Sequence, residues 1–189
     1  MNVDNPANLP PATFELNPKG RLFLVGFMGA GKSTVGPILG TALRWDFVDL
    51  DVEIERTYDR PIREIFRTEG EQRFREMETE ALKRLAERCS VVTALGGGTF
   101  VDEKNREIIK QLGISIYLEC TFETILARCP SDGTRPLLQS VDQARTMFVS
   151  RQPLYRRSDI CIDTSQLSPN EIVSAILLRL NIAPEGTAS

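Results

Sequence analysis

Short apolar runs alternate along the chain with longer stretches in which apolar residues recur at helical spacing. The runs fall at residues 22–26, 46–49, 90–95, 114–118 and 159–163. Several are apolar at every position instead of every second one, the pattern of strands covered on both faces. The stretches between them carry helix boundary signals. Asp102 can cap a helix through Ile108, Ile109 and Leu112, with Gly113 to end it. Ser168, Pro169 and Glu171 read as a capping box with proline at the first helical position, opening a helix through Ile172, Ile176 and Leu180. Residues 70–78 open a long amphipathic helix.

Strand and helix alternation of this kind predicts a parallel sheet in a three-layer α/β domain. With no internal repeat and no linker, one domain is expected over residues 20–182. Residues 1–19 read as a flexible N-terminal extension, rich in Pro, Asn and Ala and without strand or helix period. That segment lacks the apolar core of a signal peptide and the Arg and Ser content of a transit peptide. Residues 183–189 read as a second flexible end.

Composition narrows the chemistry. The net charge of −3 gives no general attraction to nucleic acid, so any basic function must be local. No apolar run approaches the ~20 residues of a membrane helix. The cysteines Cys89, Cys120, Cys129 and Cys161 form no C-x-x-C pair, and are expected as reduced, mostly buried thiols of a cytoplasmic protein. Histidine is absent from the chain. That removes Ser-His-Asp hydrolysis and every mechanism in which imidazole carries the proton.

The strongest motif spans residues 26–33, Gly-Phe-Met-Gly-Ala-Gly-Lys-Ser, which fits G-x-x-x-x-G-K-[ST]. By chance it arises in roughly one chain of this length in a hundred. Here it follows an apolar strand and enters a helical pattern, as a phosphate loop requires. Gly29, Ala30 and Gly31 would curl the backbone around phosphates, Lys32 would reach the β- and γ-phosphates, and Ser33, followed by Thr34, would hold Mg²⁺. No N-K-x-D or D-x-x-G accompanies it, which sets aside a switch GTPase, and the third strand does not end in a Walker-B acid.

Other candidates are individually weaker. Asp49 and Asp51, two apart at the end of the second strand, would share a strand face at the ligand-binding edge of a parallel sheet. One would act on Mg²⁺ through its waters and the other on a substrate hydroxyl; a solvated pair capping the next helix is the alternative. Arg75 and Glu78 can pair on one helix face, either as a charged surface or as part of a clamp for an acidic substrate. Gly96, Gly97 and Gly98 follow the third strand and would bring backbone N–H groups against a ligand, unless they form a plain turn. Residues 128–140 read as a mobile lid that brings Arg135 onto the transferring phosphoryl group. Arg151 is a second carboxylate-clamp candidate on the following helix, near Pro153 and Tyr155.

Taken in order, these segments resemble shikimate kinase, over residues 21–180. The phosphate loop, Phe-Val-Asp-Leu-Asp, Gly-Glu-Gln-Arg-Phe-Arg-Glu-Met-Glu, Leu-Gly-Gly-Gly, Arg-Pro-Leu-Leu and Arg-Gln-Pro-Leu-Tyr all match that family. The resemblance implies a P-loop kinase fold with a five-stranded parallel sheet, a substrate-binding helical region and a mobile lid. It implies transfer of the ATP γ-phosphoryl group to the 3-hydroxyl of shikimate with Mg²⁺, a step toward aromatic amino acids. By resemblance, Lys32 and Ser33 bind phosphate and Mg²⁺, Asp49 acts on the metal shell, and Asp51 holds the reacting hydroxyl. Arg75 and Arg151 grip the shikimate carboxylate beside Gly97 and Gly98, Arg135 closes over the phosphates, and Arg128 lies by the adenine. A cytoplasmic monomer with no nucleic-acid or membrane partner is expected.

The chain departs from the family's pattern in the loop at residues 165–168, where members often carry an arginine, and at Ser158, where a small Ala is usual. A gluconate kinase, or an ATP-binding domain without turnover, are the alternatives to be tested against structure.

Overall fold

A computed structural model describes residue 17 and residues 19–128 and 141–182. Five strands form one all-parallel sheet: β1 (Arg21–Val25), β2 (Asp46–Asp49), β3 (Val91–Ala94), β4 (Ile114–Glu119) and β5 (Ile160–Asp163), in the order β2-β3-β1-β4-β5. All five apolar runs became strands, with ends shifted by a residue or two. Ser90 falls outside β3 because it takes a left-handed turn conformation.

Leu22, Phe23, Leu24 and Val25 are all buried, as are Val91, Val92, Thr93 and Ala94. Successive strand residues point to opposite faces, so both faces of the sheet are covered and the domain has three layers. Helix α1 (Lys32–Leu43) lies against β2 and β3 and beside α7 (Pro169–Arg179), which packs on β5. Helix α4 (Glu103–Leu112) packs on β4 and against α3 (Ile62–Arg84), and α3 in turn packs on α2 (Leu50–Tyr58). Each fully buried Leu, Ile or Phe contributes about 1.5–3 kcal/mol, and the continuous sheet core supplies most of the stabilisation.

The cap signals are realised. Asp102 accepts from Lys104 N at 2.7 Å, and both hydrogen bonds of the Ser168–Glu171 capping box are made. Helix α3 is two helices joined at Gly70, whose φ of 83° breaks the helical path, so a new helix does open after it as the sequence implies. Its far end is anchored by Arg21, whose guanidinium donates to Leu85 O, Ala86 O and Leu112 O. Helices α5 (Phe122–Arg128) and α6 (Val141–Tyr155) flank residues 129–140.

Because all strands run the same way, the segments after β1, β2 and β3 meet along one edge of the sheet. That edge is where ligands bind in open α/β folds. Cys120 is buried, Cys161 is half-buried and Cys89 is exposed, which corrects the expectation of mostly buried thiols for Cys89. It sits in the turn before β3, where no packed element covers it. Cys129, the proposed lid and both terminal extensions lie outside the described residues, apart from Asn17, Lys19 and Arg128.

Candidate active site

The segment after β1 makes the phosphate loop. Gly31 caps α1 with a φ of 97°, a conformation that costs a residue with a Cβ, and Gly29 has a φ of 76°. Ala30 is buried against the loop's start, whereas Ser33 and Thr34 are exposed on the first turn of α1. That turn presents the positive end of a helix, which favours phosphate. Lys32 is buried and its Nζ donates to Gly26 O at 2.8 Å and Phe27 O at 3.0 Å, so the ammonium is anchored in the loop itself.

Asp49 and Asp51 do not share a strand face as expected. Asp49 ends β2 and caps α2, with Oδ1 accepting from Asp51 N and Val52 N. Asp51 therefore lies in the first helical turn. The alternation in Phe-Val-Asp-Leu-Asp imitates a strand, but the Asp49 cap turns the chain into a helix two residues earlier than that pattern suggests. The other oxygen of Asp49 accepts from Ser33 Oγ at 2.7 Å, which brings together the two groups predicted to hold a metal. Two hard oxygen donors suit Mg²⁺, which commonly takes one or two protein ligands and completes its shell with water and phosphate. Among the described residues no three His, Cys, Asp or Glu side chains are grouped so as to hold a metal ion.

Asp51 Oδ1 is buried and has no hydrogen-bond partner among the described residues. Burial, then the charges of Glu78 and Asp49, push its carboxyl pKa up to about 6, against a smaller opposing pull from Lys32. A Cβ on Gly96 would fall 2.6 Å from Asp51 Oδ1 and 2.9 Å from Glu78 Oε1, so a side chain there would displace these two acids.

Arg75 projects from the second half of α3 onto the same run. Its Nη1 donates to Glu78 Oε2 at 2.6 Å and its Nη2 to Glu71 Oε1 at 2.8 Å. A Cβ on Gly98 would fall 2.3 Å from Arg75 Nη1, so a side chain there would push the guanidinium from this position. Arg151 reaches the run from α6, with Nη1 donating to Gly97 O at 3.2 Å. Gly97 also lies beside Met28 N of the phosphate loop, completing the circuit. Arg128 sits apart, its Nη2 donating to Thr164 O at 3.1 Å at the exit of β5. Burial raises the pKa of the Cys120 thiol, against opposing pulls from Arg128 and Lys32. Arg135 lies outside the described residues.

Three contributors fall outside the predicted site residues, although the Arg75–Glu78 pairing was expected and is made. Glu78 has no exposed surface, and its second oxygen accepts from Thr99 Oγ1. The signal was present: Glu78 falls four residues after buried Phe74 and four before buried Leu82, so a carboxylate occupies an apolar stripe. Asn105, also buried, donates to Thr99 O and accepts from Thr79 Oγ1, pinning the turn after the glycines to α3. Tyr155 OH donates to Gly97 O.

A parallel sheet delivering a phosphate loop, an acidic pair and converging arginines to one edge defines a P-loop kinase. The chain belongs to the shikimate kinase family, whose model matches residues 28–181. It is 40% identical to the shikimate kinase of Persephonella marina over 160 residues, covering 84% of this chain and 98% of that one. A structure described as shikimate kinase from Acinetobacter baumannii in complex with shikimate superposes with a TM-score of 0.81 at 40% identity, covering 86% and 94% of the two chains. The Aquifex aeolicus shikimate kinase gives a TM-score of 0.77 at 36% identity, covering 85% and 96%. A gluconokinase from Sinorhizobium meliloti, at 18% identity and a TM-score of 0.58 over 88% and 94%, shares the fold alone.

Proposed function

We propose that this enzyme transfers the γ-phosphoryl group of ATP to the 3-hydroxyl of shikimate, giving shikimate 3-phosphate and ADP. The observation that carries this reading is the convergence of Arg75, Arg151 and Asp51 on the run Gly96, Gly97 and Gly98, beside the phosphate loop. Two guanidinium groups over a glycine backbone suit a carboxylate, and an adjacent buried acid suits a hydroxyl held at a fixed distance from it.

Lys32 and the first turn of α1 bind the β- and γ-phosphates. Ser33 and Asp49 hold Mg²⁺, which when bound offsets phosphate charge. Arg75 and Arg151 grip the shikimate carboxylate, with Gly97 and Gly98 backbone alongside. Asp51 accepts the proton of the 3-hydroxyl as its oxygen bonds to the γ-phosphorus and the bond to ADP breaks. Arg135 supports the transferring charge and Arg128 lies by the adenine. Phosphoryl transfer depends on positioning and charge stabilisation, so a site without histidine suffices. The paired arginines and the family membership weigh against gluconate as acceptor and against an ATP-binding domain without turnover. The enzyme acts as a monomer in the cytoplasm on this reading; no helix among the described residues is long and apolar enough to cross a membrane.

Phosphorus NMR of the product made from ATP, Mg²⁺ and shikimate tests the regiochemistry. A new phosphate monoester coupled to the proton on shikimate carbon 3 is expected. An ester on another hydroxyl, or none, would contradict the proposal.

A further inference from the structure

Tyr155 is 1% exposed, and its ring lies against Tyr117 with centroids 5.4 Å apart. A phenylalanine would fill that space equally well. A buried hydroxyl needs a partner, and this one donates to Gly97 O. The same carbonyl accepts from Arg151 Nη1. Arg151 and Tyr155 are four residues apart on α6, so one helix face delivers both donors to one oxygen.

We infer that Tyr155 is a positioning residue for the acceptor substrate, its hydroxyl fixing the Gly97 carbonyl and, through it, the Arg151 guanidinium. Arg151 carries five N–H donors, and one is placed on Gly97 O. With the peptide held by Tyr155, Arg151 keeps that bond and presents other donors in one orientation to a carboxylate. Without the hydroxyl, Arg151 alone restrains the carbonyl, and both the guanidinium and the Gly97–Gly98 peptide gain freedom that binding must then remove. The phosphate loop has its own anchors in Lys32 and the Ser33–Asp49 bond, so nucleotide binding does not pass through Tyr155.

This inference rests on the shikimate reading, and steady-state kinetics of Tyr155→Phe separate the two. The variant is expected to raise KM for shikimate about tenfold, the equivalent of one hydrogen bond. KM for ATP, kcat and the melting temperature are expected to stay near wild type. In an Arg151→Met background the same substitution should change KM less than about twofold, because the two side chains act on one carbonyl. An unchanged shikimate KM in Tyr155→Phe, or equal losses in both KM values together with a lower melting temperature, would overturn the positioning role. A wild-type enzyme with no response to shikimate would overturn the acceptor reading and this inference with it.

Discussion

Arg75 donates to Glu78 at 2.6 Å, and Glu78 is a carboxylate with no solvent exposure. A buried acid is costly unless it is paired, so the geometry is stable only while Arg75 stays in place. Glu71 and the backbone of Gly98 complete the setting of the guanidinium. The arginine is therefore fixed before any ligand arrives, and little ordering remains to be done on binding.

Arg75→Ala should leave ATP affinity near normal and weaken shikimate binding by about 2–5 kcal/mol, the range for losing a partner of a desolvated charge. Glu78→Gln, which keeps a hydrogen-bond acceptor, should show a smaller loss. Isothermal titration with each ligand checks this. Equal weakening toward ATP and shikimate would contradict the assignment of Arg75 to the acceptor.

Asp51 links pH, stability and turnover. Its folded pKa of about 6 lies above the ordinary 3.8, so the folded chain holds this proton more tightly than the unfolded one. Stability from this group is thus fullest below pH ~4 and is lost as pH rises through about 6. Asp51→Asn should be more stable than wild type at pH 8, by about 1–3 kcal/mol, with the difference vanishing near pH ~4. Calorimetry without ATP or metal ions measures it, and a variant less stable than wild type at pH 8 would contradict the burial argument. If the carboxylate takes the hydroxyl proton, kcat/KM for shikimate in wild type should fall as pH drops through about 6.

Much of this arrangement was legible in the sequence. The runs that became β1, β3 and β4 were plain because burial on both faces leaves few polar positions, whereas the edge strands β2 and β5 keep only part of that signal. The caps at Asp102 and Ser168 were readable because each satisfies helix N–H groups through its own side chain. Local pattern failed where two signals overlapped: Asp49 serves as both strand end and helix cap, so Asp51 was taken as a strand residue. Thr99 and Asn105 were obscure for another reason. Their roles depend on α3, α4 and the glycine run meeting across long separations in sequence, which no local spacing encodes.

Asp49 and Asp51 should separate in a metal titration. Asp49 holds Ser33 Oγ and caps α2, whereas Asp51 has a buried oxygen without a hydrogen-bond partner among the described residues. Asp49→Asn should raise the Mg²⁺ concentration needed for half-maximal rate several-fold, about 1 kcal/mol or more for a lost charged ligand. Asp51→Asn should lower kcat with the Mg²⁺ curve unmoved. The same displacement of the curve in both variants would refute the division of roles.

Ser158 offers a test away from the site. Its Oγ is buried without a hydrogen-bond partner among the described residues, a desolvation cost that the neighbouring Ser115–Asp159 bonds do not relieve. Ser158→Ala should stabilise the fold by about 1 kcal/mol, raising the melting temperature by ~2–4 °C, with kinetics unchanged. A lower melting temperature would mean that the hydroxyl is satisfied in solution.

The central claim is that the phosphate loop serves shikimate as acceptor, and Mg²⁺-dependent release of ADP from ATP tests it most directly. The rate is to be compared with shikimate, with gluconate and with no acceptor added. Strong stimulation by shikimate alone is the predicted result. Stimulation by gluconate, or by neither compound, would contradict the acceptor assignment while leaving the P-loop kinase fold in place.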